Sequence, residues 1–299
     1  MYNITLVVVV ILNGFWVVLL EDADKIPKGL LSPACVLQYN RIVLTRIVPP
    51  RDFYYYHEYL AGNPPLEVTE EDFRWRIVGG KRITIQEAPY QVLYGKYCGG
   101  TLIAPGWVLT AAHCKTKAGY VYAGSTSRSA AKEYPICAHF IHPYWETSSG
   151  HSHDYDYQLL LLEKPIPVTS ASRPIAIGSV DDIKNGNIVS VTGWGYLKFK
   201  ANKMQDILRR VYMPIIDEEN CEKMTDGSYD LTSRMFCAGY ANGTKDSCQG
   251  DSGGPVVYQG KLLGLVSYGL ECALPNHPGV YANVPEVRGW IRSVTALPL

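Results

Sequence analysis

The chain has 299 residues, 28 basic and 28 acidic side chains, and a formal net charge of zero. That length holds one large core or two smaller ones, and the balanced charge argues against a surface dedicated to nucleic acid or another polyanion. Eight cysteines behind an apolar N-terminus point to an oxidising compartment, and the lack of a paired Cys-x-x-Cys argues against zinc.

Residues 4–20 are almost wholly apolar, broken by Asn13-Gly14 and followed by Glu21-Asp-Ala-Asp-Lys25. Residues 1–20 read as a secretory signal, with a signal anchor as the alternative, because about twenty apolar residues can span a bilayer. Asn3-Ile-Thr5 lies within this run and is discounted as a glycosylation acceptor. Residues 21–76 carry Pro49-Pro50, Tyr54-Tyr-Tyr56, Pro64-Pro65 and Glu70-Glu-Asp72 without regular periodicity, and read as a flexible pro-segment.

From Ile77 onward short apolar runs alternate with Gly, Pro and Asn turns, as in Leu262-Leu-Gly-Leu-Val-Ser267, a pattern that suits an all-β antiparallel architecture. Gly99-Gly-Thr-Leu-Ile103 and Trp107-Val-Leu109 lead into Thr110-Ala-Ala-His-Cys114, which reads as a strand feeding a tight turn that carries His113. His151-Ser-His153 reads as a polar loop rather than a metal site. Asp154-Tyr-Asp-Tyr-Gln-Leu-Leu-Leu-Leu162 sets two carboxylates before a run expected for a buried strand, where a carboxylate can be fixed and shielded from water. Asp156 is the candidate orienter of a base, and Asp154 competes for that role.

Asp246-Ser-Cys-Gln-Gly-Asp-Ser-Gly-Gly-Pro255 places Ser252 among glycines. A serine hydroxyl is a weak nucleophile near neutral pH and needs a positioned base, which His113 would supply. Pro285 to Ala296 reads as one closing helix, with Val287, Trp290, Ile291 and Val294 at helical spacing, a stripe that serves core packing.

The chain order His113, Asp156, Ser252, together with Arg76-Ile-Val-Gly-Gly80 and Thr192-Gly-Trp-Gly195, resembles the trypsin-like branch of the chymotrypsin family of serine proteases. The resemblance runs from Ile77 to about Thr295. It implies a catalytic domain over residues 77–299 built from two antiparallel six-stranded β-barrels with a C-terminal helix, and an active site between the barrels. The family position of the aspartate matches Asp156 rather than Asp154.

The implied activity is a secreted serine endopeptidase that cuts proteins or peptides after Arg or Lys through an acyl-enzyme, as a monomer and without a cofactor. The resemblance assigns the oxyanion hole to the backbone N–H groups of Gly250 and Ser252. It assigns the floor of the substrate pocket to Asp246 and its walls to Ser267, Tyr268, Gly269 and Gly279. Tyr268 stands where the family usually has tryptophan, and Glu271 where trypsins usually have glycine, which adds negative charge at the pocket mouth and implies either a sharpened preference for basic peptides or some steric narrowing. Activation would follow cleavage between Arg76 and Ile77 by a trypsin-like activator or by the enzyme itself, after which the new amine of Ile77 pairs with Asp251.

The family register implies bridges Cys98 to Cys114, Cys221 to Cys237 and Cys248 to Cys272. Cys35 and Cys137 remain, as a tether for the pro-segment, as free thiols or as an intermolecular bridge. The family's calcium loop would lie between His113 and Cys137, where Glu133 is the sole carboxylate, so no metal site is expected. Asn242-Gly-Thr244 is either a glycosylation acceptor or an unmodified turn. Two other functions stay open at this point: a protease-like binding or cascade cofactor protein without activity, and a membrane-tethered protease.

Overall fold

A computed structural model describes residues 6–12, 15–21, 35, 80–115, 118–145, 152–201 and 203–299. Arg76, Ile77 and His151 lie outside the described residues, as do residues 22–79 apart from Cys35. Near the N-terminus, β1 (Leu6–Leu12) and β2 (Phe15–Glu21) pair antiparallel with Leu12 opposite Phe15. This pairing brackets Asn13-Gly14, a dipeptide that favours two-residue hairpins. No helix among the described residues is long and apolar enough to cross a membrane.

After the short β3 (Lys81–Arg82), six strands form the first barrel: β4 (Gln91–Tyr94), β5 (Cys98–Ala104), β6 (Trp107–Thr110), β7 (Tyr120–Ala123), β8 (Lys132–Ile141) and β9 (Gln158–Leu162). They close antiparallel in the order β4-β5-β6-β9-β8-β7. The later strands are β10 (Ala176–Ile177), β11 (Ile188–Gly193), β12 (Arg209–Ile216), β13 (Met235–Ala238), β14 (Pro255–Tyr258), β15 (Lys261–Tyr268) and β16 (Gly279–Asn283). The order β15-β14-β11-β12-β13-β16 closes into a second six-stranded barrel through the β15–β16 pairing, with β3 added beside β12 and β10 parallel to β15. The expected all-β architecture of two antiparallel barrels is therefore the observed one.

The leucine run of β9 explains how the barrels meet. Successive side chains of a strand point to opposite faces. Leu160 and Leu162 fill the first barrel with Val92, Leu102, Val108 and Val121. Leu159 and Leu161 face outward into a core shared with Leu208, Leu262 and Leu265 of the second barrel. Both faces of β9 are buried, so the sequence shows no polar alternation there.

A helix α1 (Glu218–Met224) is capped by Asp217, whose carboxylate accepts from Asn220 N. The closing helix is shorter than the sequence predicts. Val284–Val287 form a 3-10 turn, and α2 begins only at Arg288 and runs to Thr295. In a 3-10 turn residues three apart eclipse, which sends Val284 and Val287 into the core together.

Candidate active site

His113 sits on a 3-10 turn, Ala112–Cys114, directly after β6. Its Nδ1 lies 2.7 Å from Asp156 Oδ2, and its backbone N–H donates to Asp156 Oδ1 at 2.8 Å. A carboxylate only accepts hydrogen bonds, so this contact places a proton on Nδ1 and leaves Nε2 of the neutral ring as the acceptor. Asp156 is fully buried and takes a further hydrogen bond from the Ser267 hydroxyl at 2.6 Å. Ser267 was expected as a pocket wall; its contact with the carboxylate has no local signal in the sequence.

Asp154 does not compete for His113. Arg234 holds it through Nε at 2.8 Å and Nη2 at 2.9 Å, and Thr232 donates to it at 3.0 Å. Burial alone would raise the Asp154 carboxyl, but these hydrogen bonds and the guanidinium charge outweigh it and hold it below the usual range. His153 stacks on Tyr268 with ring centroids 4.7 Å apart and meets the His113 ring edge-on at 6.0 Å. Burial pushes its imidazole down, so it forms a neutral aromatic wall beside His113.

The Ser252 turn belongs to the second barrel and packs on the first. The Ser252 carbonyl accepts from Gly99 N at 2.7 Å, and Gly253 N donates to Val266 O at 2.7 Å. Gly253 has φ +74°, and a Cβ there would stand 2.8 Å from Gly99 O and 2.9 Å from Ala111 N. Only glycine meets both demands, and the resulting close approach brings the Ser252 turn against the segment that carries His113. Gly250, at φ +97°, makes the second left-handed step of the motif.

Between them Asp251 is fully buried, and its carboxylate accepts from Gly195 N at 2.8 Å and Cys248 N at 3.1 Å. A Cβ on Gly195 would collide with this carboxylate, which accounts for glycine in Thr192-Gly-Trp-Gly195. Burial pushes the Asp251 carboxyl up to about 6, and it has no cationic partner among the described residues.

Ser252 opens onto a cavity of about 240 Å³ lined also by Asp246, Ser267, Tyr268, Glu271 and Gly279. Asp246 is 4 % exposed; its Oδ2 accepts from Ala273 N at 2.9 Å, while Oδ1 has no hydrogen-bond partner among the described residues. Burial raises this carboxyl to about 7. Glycine at 279 keeps the floor open, because a Cβ there would stand 3.0 Å from Asp246 Oδ1.

A sequence model of the family described as Trypsin matches residues 77–291. The chain belongs to the trypsin family of serine proteases. It is similar to Trypsin 5G1 of Aedes aegypti, 36 % identical over 232 residues that cover 74 % of this chain and 86 % of the relative. It is likewise similar to the vitellin-degrading protease of Bombyx mori, 40 % identical over 235 residues that cover 75 % of this chain and 88 % of the relative. Among solved structures it resembles mouse neuropsin, a serine protease, with a TM-score of 0.66 and 31 % identity over 72 % of this chain and 97 % of neuropsin. The chain is thus a trypsin-like serine endopeptidase.

In this trypsin-family chain the three bridges implied by the family register are present: Cys98–Cys114, Cys221–Cys237 and Cys248–Cys272. The first closes the turn that carries His113, and the last joins two residues of the cavity wall. Cys35 and Cys137 also bond to each other within the chain, so neither is a free thiol or the end of an intermolecular bridge. Cys137 occupies a register shift in β8 between Ile136 and Ala138, and a bulge of this kind re-aims a side chain. Both sulfurs lie in the core shared by the barrels. Asn242 is exposed, and its Oδ1 accepts from the Thr244 hydroxyl at 2.9 Å.

Proposed function

We propose that this chain is the precursor of a secreted endopeptidase that cuts after Arg or Lys, with His113, Asp156 and Ser252 as its catalytic residues. The observation that carries the specificity is the Oδ1 of buried Asp246, in the cavity beside Ser252 and without a hydrogen-bond partner among the described residues. An uncompensated carboxylate in a dry site is costly, so a guanidinium or ammonium satisfies it and an apolar side chain leaves it stranded.

In the reaction, His113 Nε2 takes the Ser252 proton as the hydroxyl oxygen attacks the scissile carbonyl carbon. Asp156 keeps the ring oriented and stabilises the imidazolium. The backbone N–H groups of Gly250 and Ser252 hold the oxyanion, a contribution of about 3 to 4 kcal/mol per donor in comparable sites. Collapse breaks the C–N bond, His113 Nε2 gives its proton to the departing amine, and water then attacks the acyl-enzyme by the same route.

Activation rests on Asp251. Its buried carboxylate has only N–H donors among the described residues, and the amine released by cutting Arg76–Ile77 supplies the missing cation. Burying such a pair is tolerable because both charges are matched. The bond follows arginine, so the activator is itself trypsin-like, either another protease or this one. Secretion agrees with the described cysteines, all of which are disulfide-bonded.

The test is to cut the precursor at Arg76 and assay peptides with Arg, Lys, Tyr or Ala before the scissile bond, with Ser252→Ala alongside. Hydrolysis after Arg and Lys, absent in Ser252→Ala, is expected. Faster cleavage after Tyr than after Arg would overturn the specificity.

A further inference from the structure

We propose that Arg234 is a positioning residue: by clamping Asp154 it holds the turn that presents Asp156 to His113 and fixes the two barrels in register. The proposal rests on the catalytic reading above.

The turn before β9 is conformationally demanding. His153 and Tyr155, neither of them glycine, have φ of 65° and 54°, in the left-handed region that ordinary side chains disfavour. Such a backbone persists only where its surroundings over-determine it. Here the restraint comes from the second barrel, just before β13. Arg234 grips Asp154 with two parallel hydrogen bonds, Nε to Oδ1 at 2.8 Å and Nη2 to Oδ2 at 2.9 Å. This fork fixes direction as well as distance.

The same guanidinium lies over the Tyr155 ring at 4.6 Å, and Tyr157 Oη donates to the Arg234 carbonyl at 3.0 Å. Three of the four residues 154–157 therefore touch Arg234, and the fourth is Asp156. Asp154 and Asp156 enter β9 of the first barrel, whereas Ser252 belongs to the second. The clamp thus crosses the seam that the reacting groups must bridge. Its neighbours are fixed as well: His142 stacks on Tyr155, and His153 faces His113.

The test uses activated enzyme normalised by active-site titration, with Arg234→Met, Arg234→Lys and Asp154→Asn. A misplacement of about 1 Å caused far from the chemistry can cost about a hundredfold, so a smaller displacement of Asp156 is expected to cost about tenfold. Arg234→Met is expected to lose about that much kcat/KM per titrated site, chiefly in kcat, with KM little changed. The acid limb of its pH profile is expected to move to lower pH, because a less well aimed Asp156 stabilises the His113 imidazolium less. Arg234→Lys, which keeps the charge without the fork, is expected to recover part of the loss, and adding Asp154→Asn to Arg234→Met to cost little more. Unchanged kcat/KM per titrated site and an unmoved acid limb, with only a lower Tm, would reduce the clamp to a structural one. Wild-type chain that turns over no substrate would instead bring down the catalytic reading on which the proposal stands.

Discussion

Ser267, on β15 of the second barrel, donates its hydroxyl to Asp156 Oδ2 at 2.6 Å, and that same oxygen meets His113 Nδ1 at 2.7 Å. The carboxylate is fully buried, so each donor lost is not replaced by water. A hydrogen bond to a charged group is worth about 1.5 to 3 kcal/mol. Ser267→Ala is therefore expected to lower kcat/KM about ten- to a hundredfold, read from steady-state rates. Unaltered kcat would show that Ser267 serves only as pocket wall.

Cation binding in the pocket is expected to depend on pH through Asp246. With the carboxyl raised to about 7, it takes up a proton as pH falls through that value and stops attracting cations. Affinity for benzamidine, a small amidinium probe, is expected to fall about tenfold per unit below pH 7 and to level off above it. Asp246→Asn is expected to remove both the affinity and the slope. The folding linkage has the opposite sense. Between the ordinary value of 3.8 and about 7 the folded state holds the proton and the unfolded state does not, so this group makes stability fall as pH rises through that window. Calorimetry of Asp246→Asn is expected to show that decline reduced.

Gly279 controls access to the same carboxylate. A Cβ there would stand 2.7 Å from Tyr281 Oη and 3.0 Å from Asp246 Oδ1. Gly279→Ala is expected to cut kcat/KM for both Arg and Lys peptides by about tenfold or more, since overpacking of this kind costs about 1 to 3 kcal/mol. Equal rates in wild type and variant would mean that basic side chains bind elsewhere.

The Cys35–Cys137 bridge predicts a two-chain product. After cutting at Arg76, the segment containing Cys35 stays bonded to β8 of the catalytic domain. Electrophoresis is expected to show one band without reductant and two with it, and Cys35→Ser to release the segment in both conditions. Identical band patterns with and without reductant in the wild type would refute the tether.

Glu271 lines the cavity and is exposed. An exposed carboxylate at the mouth adds a modest, salt-screened attraction for basic peptides. Glu271→Gly is expected to reduce kcat/KM for Arg and Lys peptides about two- to fivefold at low ionic strength and less at high salt. Rates that stay the same for every basic peptide at low salt would remove the role.

The ten residues Asp246–Pro255 form a local turn, and its backbone demands are legible because they depend on residue type and short-range backbone freedom. Gly253 and Gly250 take left-handed conformations for reasons that act within a few positions. The alternation of apolar runs and turns likewise foretold barrels. The N-terminal run was read for its hydropathy alone, although its Asn-Gly also carried the hairpin signal that β1 and β2 follow.

Other features depend on which distant segments meet. By local pattern Asp154 and Asp156 are equivalent carboxylates before the same leucines; barrel closure gives one to Arg234, 80 positions away, and the other to His113 and Ser267, the latter 111 away. Cys35 and Cys137 stand 102 positions apart, and a register shift in β8 marks where the second sulfur turns into the shared core. The sequence by itself determined the chain order of His113, Asp156 and Ser252 and the strand-and-turn rhythm. That Arg234 holds Asp154, that Ser267 donates to Asp156 and that Cys35 joins Cys137 were decided only when two barrels buried both faces of β9, because long-range partners are chosen by packing and not by local preference.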